Sequence, residues 1–169
     1  MNSKKNIALI GMAGVGKTTI AKHIAQKLGY DCIEVDQIIT KLAKMKGKDK
    51  ETLSDNEFMD FERKAIFSLN DRINSVIDTG GSTVYSKEAM NILKNNSFIV
   101  YLSDYLENIE KRFKERGEMH LIGMTPEKSF KKLFNERVIL YKEFADCVVE
   151  VSAKDIESLE YDIIREYQR

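Results

Sequence analysis

Short apolar runs alternate with segments of helical hydrophobic spacing along the whole chain. An unbroken apolar run is typical of a strand that is buried on both faces of a sheet, and helical segments between such strands are typical of parallel sheets. The pattern therefore predicts an α/β fold in which a five-stranded parallel sheet carries helices on both faces. The predicted strands lie at residues 7–10, 32–35, 76–79, 98–102 and 147–151.

Several of the helical segments begin or end at recognisable sequences. Residues 17–28 follow the first strand and stop before a glycine, which favours a helix ended by that glycine. Ser54 and Glu57 have the spacing of a capping box. Thr125 precedes the one proline of the chain, and residues 152–155 precede the last helical pattern, so we expect further helices to begin at both places.

Composition narrows the classes of function. The 169 residues contain no Pro- or Ser-rich linker and predict a single domain, 1–169. Lys plus Arg (27) equals Asp plus Glu (27), so there is no basic excess to neutralise the phosphates of a nucleic acid. Two Cys and two His form no zinc-binding cluster, and the apolar run at 7–10 is too short for a signal peptide or a membrane span. We therefore expect a cytoplasmic protein with no nucleic-acid or membrane partner.

Residues 11–18 read Gly-Met-Ala-Gly-Val-Gly-Lys-Thr and match the G-x-x-x-x-G-K-[ST] pattern between a predicted strand and a predicted helix. Glycines let backbone N–H groups surround phosphate oxygens, and the helix N-terminus adds a positive dipole end. In such loops Lys17 follows the β- and γ-phosphates and the Thr18 hydroxyl is a Mg²⁺ ligand. The motif predicts ATP or GTP with Mg²⁺, against the alternative of a glycine turn that binds nothing. The predicted nucleotide-binding residues are Gly11, Met12, Ala13, Gly14, Val15, Gly16, Lys17, Thr18 and Thr19.

The rest of the sequence favours a kinase. A switch GTPase would carry an Asn-Lys-x-Asp motif, which the sequence lacks, whereas polar residues follow the later predicted strands, where ligands of open α/β sheets bind. Together with the phosphate loop, these residues resemble the shikimate kinase family. The matching motifs are the phosphate loop, Glu34-Val35-Asp36, Thr79-Gly80-Gly81-Ser82, Arg112, and Arg137-Val-Ile-Leu-Tyr141 followed by Ala145-Asp146.

The resemblance implies a role for the residues that follow the second and third strands. Asp36 would orient or deprotonate the attacking hydroxyl of the acceptor, and its alternative is the N-cap of a helix. Glu34 would lie near Mg²⁺, through water. Gly80 and Gly81 would let the acceptor approach the backbone closely, and their alternative is a plain turn at the end of a strand.

Two arginines also receive roles from the resemblance. Arg112 would stack on the adenine, and its alternative is an ordinary solvated helix face. Arg137 would bind the acceptor's carboxylate with both arms of its guanidinium group. The alternative for Arg137 is an ion pair with Glu136 or Glu143.

The resemblance further implies a three-layer P-loop kinase fold with a short lid at about 113–125 and acceptor-binding helices at about 37–74. A monomer is expected. Within the lid, the glycine-bounded segment 117–123 predicts a flexible flap. The lysine-rich segment 44–50 predicts a solvated turn rather than a binding patch.

Two positions depart from the family pattern. Met59 stands where the family has an arginine that helps to hold shikimate's carboxylate, and Met119 stands where the lid has an arginine that reaches the transferred phosphoryl group. Losing one partner of a desolvated charge pair costs ~2 to 5 kcal/mol, which predicts weaker use of shikimate. Arg63, one helical turn after Met59, and Arg116 are the candidates to compensate.

The predicted activity is ATP-dependent transfer of the γ-phosphoryl group to a hydroxyl of a small acceptor. By resemblance the acceptor is shikimate or a related hydroxy acid. A nucleoside-monophosphate kinase is an alternative, as is a nucleotide-binding regulatory protein with little kinase activity. The predicted catalytic residues are Lys17 and Asp36.

Overall fold

The computed structural model describes residues 4–117, 120–152 and 154–169. Its centre is a five-stranded parallel sheet with the strand order β2-β3-β1-β4-β5. This confirms the predicted sheet. The strands are β1 (Asn6–Ile10), β2 (Asp31–Glu34), β3 (Ser75–Asp78), β4 (Ser97–Ser103) and β5 (Cys147–Glu150).

Seven α-helices surround the sheet among the residues that the structure describes. They are α1 (Lys17–Leu28), α2 (Val35–Met45), α3 (Asp55–Phe67), α4 (Lys87–Asn96), α5 (Leu106–Glu115), α6 (Phe130–Phe144) and α7 (Ile156–Tyr167). Two short 3₁₀ helices, Lys50–Thr52 and Thr83–Tyr85, precede α3 and α4.

The direction of the crossovers decides which face of the sheet each helix covers. The connection from β1 runs toward β2 at one edge, whereas the connections that leave β2, β3 and β4 run toward the other edge. Right-handed crossovers in opposite directions place their helices on opposite faces. Accordingly α1 packs with α7, while α4 and α6 pack against β4. The direction reverses at the central strand β1, so a ligand crevice is expected at its carboxyl end.

All five predicted strands are present, each with bounds that differ by one residue at one or both ends, and the predicted start of one helix is wrong. Ser54 and Glu57 form the predicted capping box at the start of α3, and Asp155 caps α7. The second strand ends one residue earlier than predicted because the next residue already begins α2. The helix expected near Thr125 begins only at Phe130, with Ser129 as its cap, because the four residues 125–128 close a separate turn.

The core lies on both faces of the sheet. All five residues of β1 are fully buried, as expected for the central strand of a parallel sheet. No helix within the described residues combines the length and the apolar character that a bilayer crossing requires.

Candidate active site

The turn from β1 into α1 forms the phosphate loop. Gly11 has a φ of +146°, and a Cβ atom at this position would lie 2.6 Å from the backbone oxygen of Leu102, so only glycine is tolerated. Helix α1 begins after Gly16, without an acidic residue in its first turn and without a side-chain cap from any described residue. Its first N–H groups and its positive dipole end are therefore available to an anion.

Lys17 lies inside this loop with 8% of its surface exposed. Its Nζ donates hydrogen bonds to the backbone oxygens of Gly11 and Met12, at 2.8 and 2.9 Å. Burial lowers the pKa of the Lys17 ammonium group to about 8, while the negative charge of Asp78 acts in the opposite direction. The loop therefore holds a desolvated cation among backbone dipoles, where an incoming phosphate would find it.

Thr18, the next residue of α1, contacts a carboxylate that is not among the predicted site residues. Its Oγ1 donates a hydrogen bond to Oδ2 of Asp78 at 2.5 Å. Asp78 is the last residue of β3 and is 8% exposed. Burial raises the pKa of the Asp78 carboxyl, and the charge of Lys17 opposes that rise. The feature of the sequence that could have indicated this role is the position of Asp78, an acidic residue at the carboxyl end of a mostly apolar strand.

One cavity of about 550 Å³ brings most of the predicted site together. It extends from the phosphate loop across the ends of β2 and β3 to α6 and to the segment before α6. Asp36, Gly80, Gly81 and Arg137, all predicted to bind the acceptor, line it together with Lys17. The other lining residues are Ala13, Gly14, Gly16, Thr18, Thr19, Lys50, Glu51, Leu53, Phe58, Asp78, Thr79, Ser82, Arg116, His120, Leu121 and Ile122.

The two glycines after β3 leave room for buried charged side chains. A Cβ atom on Gly80 would collide with Oε1 of Glu62, and one on Gly81 would lie 2.9 Å from the guanidinium of Arg137. The Glu62 carboxylate accepts hydrogen bonds from Ser82 and Thr83, each at 2.8 Å. Burial raises the pKa of the Glu62 carboxyl group, and the hydrogen bonds from Ser82 and Thr83 act in the opposite direction. Close packing within the protein is therefore one reason for glycine at both positions.

Arg137 is 2% exposed although it lies on the cavity wall. Its Nη2 donates to the backbone oxygen of Ile122 at 2.7 Å, and its Nε donates to the Tyr85 hydroxyl at 3.3 Å. No described carboxylate forms an ion pair with it, and Glu136 instead pairs with a lysine. The alternative of an ion pair with a neighbouring glutamate is therefore wrong for the described chain.

Asp36 lies in the first turn of α2, whose N-cap residue is Glu34, so the N-cap interpretation of Asp36 is wrong. Its Oδ2 is 2.6 Å from Nζ of Lys50. Lys50 belongs to the segment that was expected to be a solvated turn, and this expectation is wrong at Lys50, which points into the cavity. The hydrophobic periodicity of the sequence gives no indication that Lys50 and Asp36 are in contact.

Arg112 lies against the outside of the phosphate loop. Its Nη1 is 2.8 Å from Oδ2 of Asp104 and 3.4 Å from the backbone oxygen of Gly14. Asp104 has a fully buried side chain. Glu110 and Glu115 pair with lysines of their own helix, whereas Arg112, with 40% of its side chain exposed, is held on one side by Asp104. Arg112 does not line the cavity, within the part of the chain that the structure describes.

Four other predicted binding residues, Gly11, Met12, Val15 and Glu34, are not among the described residues that line the cavity. The side chains of Met12 and Val15 are buried in the core, which leaves only their backbone groups to face a phosphate. Glu34, the predicted metal residue, instead has its Oε1 3.0 Å from Nζ of Lys22 on α1.

The described part of the predicted lid is attached to α3. Nε2 of His120 is 2.5 Å from Oδ1 of Asp55, and the Gly123 N–H donates to the other carboxylate oxygen at 2.9 Å. Glu118 and Met119 lie outside the described residues. Met119 is the position at which the predicted lid departs from the family pattern. The helix start at Asp55 thus holds the far end of the flap.

The two candidate replacements for the missing arginines are placed differently. Arg116 lines the cavity. Arg63 instead pairs with Asp60 at 2.6 Å and is not among the described residues that line the cavity, nor is Met59. Of the two, only Arg116 lies on the cavity wall, where its charge acts on the ammonium group of Lys17.

The chain is similar to shikimate kinases in sequence and in structure. A family model described as shikimate kinase matches residues 13–168. The shikimate kinase of Thermodesulfovibrio yellowstonii is 34% identical over 167 residues, which cover 98% of this chain and 96% of the relative. That of Caldanaerobacter subterraneus subsp. tengcongensis is 33% identical over 165 residues, 96% of each chain. The solved structure of the Acinetobacter baumannii shikimate kinase in complex with shikimate has a TM-score of 0.83 at 26% identity, and the match covers 96% of this chain and 92% of that one.

Proposed function

This chain belongs to the shikimate kinase family, and we propose that it transfers the γ-phosphoryl group of ATP to a hydroxyl of shikimate. One observation carries the proposal: a single cavity is lined by the phosphate loop, the proposed donor end, and by the Asp36 carboxylate and the buried guanidinium of Arg137, the proposed acceptor end. A phosphate donor and a carboxylate-bearing polyol would meet in such a space. The complex of the Acinetobacter relative with shikimate supports the same acceptor.

The donor end of the cavity would bind ATP. The loop amides and the α1 dipole would surround the β-phosphate, and Lys17 would exchange its two carbonyl partners for phosphate oxygens. Thr18 and a carboxylate at an adjacent strand end would hold Mg²⁺, since oxygen ligands suit this ion. Bound there, Mg²⁺ would neutralise charge on the phosphates. Arg112, beside Gly14, would contact the adenine.

The acceptor end would orient the nucleophile. Arg137 would bind the carboxylate of shikimate in the two-pronged geometry that guanidinium groups offer. Asp36 would accept a hydrogen bond from the attacking hydroxyl and receive its proton as the phosphoryl group is transferred. Gly80 and Gly81 would bring backbone groups against the ring. Positioning of this kind supplies most of the rate enhancement in phosphoryl transfer, because the protein does little covalent chemistry.

Other cations of the cavity would compensate for the methionine at position 59. Lys50 and Arg116 both line the cavity, and Lys50 is already paired with Asp36. The missing positive charge is therefore replaced from different segments, and efficient use of shikimate remains compatible with the methionine. We propose that the segment at about 113–125 closes as a lid and excludes water, which would otherwise accept the phosphoryl group.

The proposal includes the setting of the reaction. We propose a cytoplasmic monomer whose partner is the small acceptor. The two cysteines are free in the structure, which accords with a reducing compartment. Light scattering on the purified chain would test the monomer, since a dimer doubles the 19.5 kDa mass.

The decisive experiment measures ADP release by the purified protein with Mg²⁺ and ATP in the presence of shikimate, quinate, homoserine, AMP or CMP. We expect release with shikimate above every other compound, with shikimate 3-phosphate as the product. Release with AMP or CMP alone would establish a nucleoside-monophosphate kinase, and ATP binding without release for any compound would favour a regulatory protein.

The catalytic role of Asp36 has its own test. Asp36→Asn should lower kcat by ~10²- to 10⁴-fold, the usual range for a general base, with ATP affinity nearly unchanged. Asp31→Asn is a suitable control because Asp31 is an exposed acid at the opposite end of the strand before Asp36. A collapse of ATP binding in Asp36→Asn would instead assign Asp36 to the nucleotide site.

A further inference from the structure

The carboxylate of Asp78 and the hydroxyl of Thr18 form one oxygen-donor pair at the donor end of the cavity. The two atoms lie 2.5 Å apart, and both residues line the cavity. Asp78 is held at a strand end and Thr18 in the first turn of α1, so both come from rigid elements. A carboxylate beside a hydroxyl, within reach of phosphate oxygens, is a suitable ligand set for Mg²⁺, which is usually bound by one or two protein oxygens together with phosphates and water.

The competing carboxylate is Glu34. It is the register partner of Asp78 across β2 and β3, so the two acids end adjacent strands side by side. Their side chains nevertheless have different partners. Asp78 faces Thr18, whereas Glu34 pairs with Lys22, which lies four residues after Thr18 on the same helix. An ion pair with a lysine satisfies the charge of Glu34 away from the cavity.

We propose that Asp78, together with Thr18, is the protein ligand of the Mg²⁺ that accompanies ATP, and that Glu34 is not. This inference deepens the proposed function and rests on it only in requiring MgATP as the phosphoryl donor. Asp78 also lies close enough to influence the charge of Lys17. One carboxylate would thus hold the metal and also favour the charged form of the ammonium group that binds the triphosphate.

The test compares Asp78→Asn with Glu34→Gln, two substitutions that each remove one charge with little change of shape. ATP affinity is measured by calorimetry with Mg²⁺ and with EDTA, and the ratio of the two affinities reports the metal. Direct binding of Mn²⁺ to the enzyme–ADP complex, followed by its electron paramagnetic resonance signal, is the second readout. Neither measurement depends on turnover.

We expect Asp78→Asn to lose at least ~10-fold of the Mg²⁺-dependent gain in ATP affinity and to weaken Mn²⁺ binding to a similar degree. Even the substitution of a residue that only supports a metal ligand typically lowers metal affinity by ~10- to 100-fold. Its affinity for metal-free ATP should stay the same or rise, because a negative charge near the phosphates is gone. Glu34→Gln should change the Mg²⁺ gain by less than ~3-fold, a surface ion-pair effect.

Other outcomes overturn the inference. Loss of the Mg²⁺ gain in Glu34→Gln alone would make Glu34 the ligand, and retention of the gain in Asp78→Asn would exclude Asp78. If Asp78→Asn loses ATP affinity equally with Mg²⁺ and with EDTA, Asp78 only stabilises the phosphate loop through its hydrogen bond with Thr18. If Asp78→Asn does not fold, Asp78→Ser, which keeps a hydroxyl near Thr18, takes its place. Failure of shikimate as an acceptor, with the Mg²⁺ gain intact in the unaltered chain, would refute the proposed substrate and leave this inference standing.

Discussion

The two ends of the cavity are built in different ways. The donor end consists mainly of one continuous segment, residues 11–19, whose backbone groups already satisfy Lys17. The acceptor end is assembled from the starts of α2 and α3, the turn after β3, α6 and the segment before α6, so the partners that a substrate must replace there lie on separate segments of the chain. Asp36 is engaged by Lys50, and Arg137 by a backbone oxygen. A preformed donor end and a rearranging acceptor end are therefore expected.

The largest effect of a single substitution is expected at the donor end. Lys17→Met should lower kcat/KM by at least ~10³-fold with every acceptor, because one charged donor to the reacting phosphate is removed from a desolvated site. Lys27→Met is the matched control, since Lys27 is an exposed residue of the same helix, and it should retain full activity. Steady-state kinetics measures both. Substantial activity in Lys17→Met would show that the loop does not carry the chemistry.

The corresponding change at the acceptor end is Arg137→Met. The KM for shikimate should rise by at least ~30-fold, which corresponds to ~2 kcal/mol for a carboxylate left without its buried partner. ATP affinity should be unchanged, which also shows that the variant is folded. Arg63→Met is the control because Arg63 pairs with Asp60 outside the cavity lining. An equal effect of the two variants would mean that Arg63 reaches the acceptor after all.

A smaller effect is expected from the lysine-rich segment. Lys50→Met should raise the KM for shikimate by about 5- to 10-fold, since a partly exposed ion pair is worth ~1 kcal/mol. Lys48→Met, two residues away, alters a lysine that pairs with Glu57 and not with a residue of the cavity, and should leave the KM unchanged. If both lysines act alike, the segment contributes only general charge.

The contact between the two ends also makes a measurable contribution to stability. The Tyr141 hydroxyl donates to the backbone oxygen of Gly81 at 2.7 Å and contacts the sulfur of Met12. Tyr141→Phe should lower the free energy of unfolding by ~1 kcal/mol, the usual net value of such a bond. Tyr161→Phe, at an exposed site, should be neutral in the same urea titration. Equal stabilities would show that the Gly81 carbonyl finds another donor.

The last prediction concerns protons. With a pKa of about 8, Lys17 is mostly charged at pH 7 and about half charged at pH 8 in the free protein. Binding of ADP in EDTA should raise this pKa toward its ordinary value, because phosphate favours the ammonium form. Binding should thus take up about half a proton at pH 8 and about a tenth at pH 7. Calorimetry in buffers of different ionisation enthalpy measures the uptake, and Lys17→Met should abolish the difference between the two pH values.

The same contrast between the ends explains how far the sequence could be interpreted. The sheet, its strand positions and the phosphate loop could be predicted because each is encoded in consecutive residues, as apolar runs or as a fixed glycine spacing. The shared cavity of Asp36, Gly80 and Arg137 was approached only through resemblance. Lys50 could not be predicted, because a charge run carries no information on which of its lysines turns inward.

Asp78 and Asp104 show the other limit. Each acid becomes significant only through a partner on a separate helix, Thr18 of α1 for the first and Arg112 of α5 for the second. Hydrophobic periodicity indicates whether a side chain is buried but not which residues it contacts, so the partner of a buried acid cannot be deduced from the pattern. Only the topology, which brings strand ends to one edge of the sheet, could have indicated the partner.

The resting position of Lys17 has a consequence for turnover. An ammonium group that finds two carbonyl oxygens inside its own loop does not have to be rehydrated when the spent nucleotide leaves. The phosphate cradle can then persist between catalytic cycles without collapsing or recruiting solvent ions. Replacement of ADP by ATP becomes an exchange of oxygen atoms around one nitrogen that barely needs to travel.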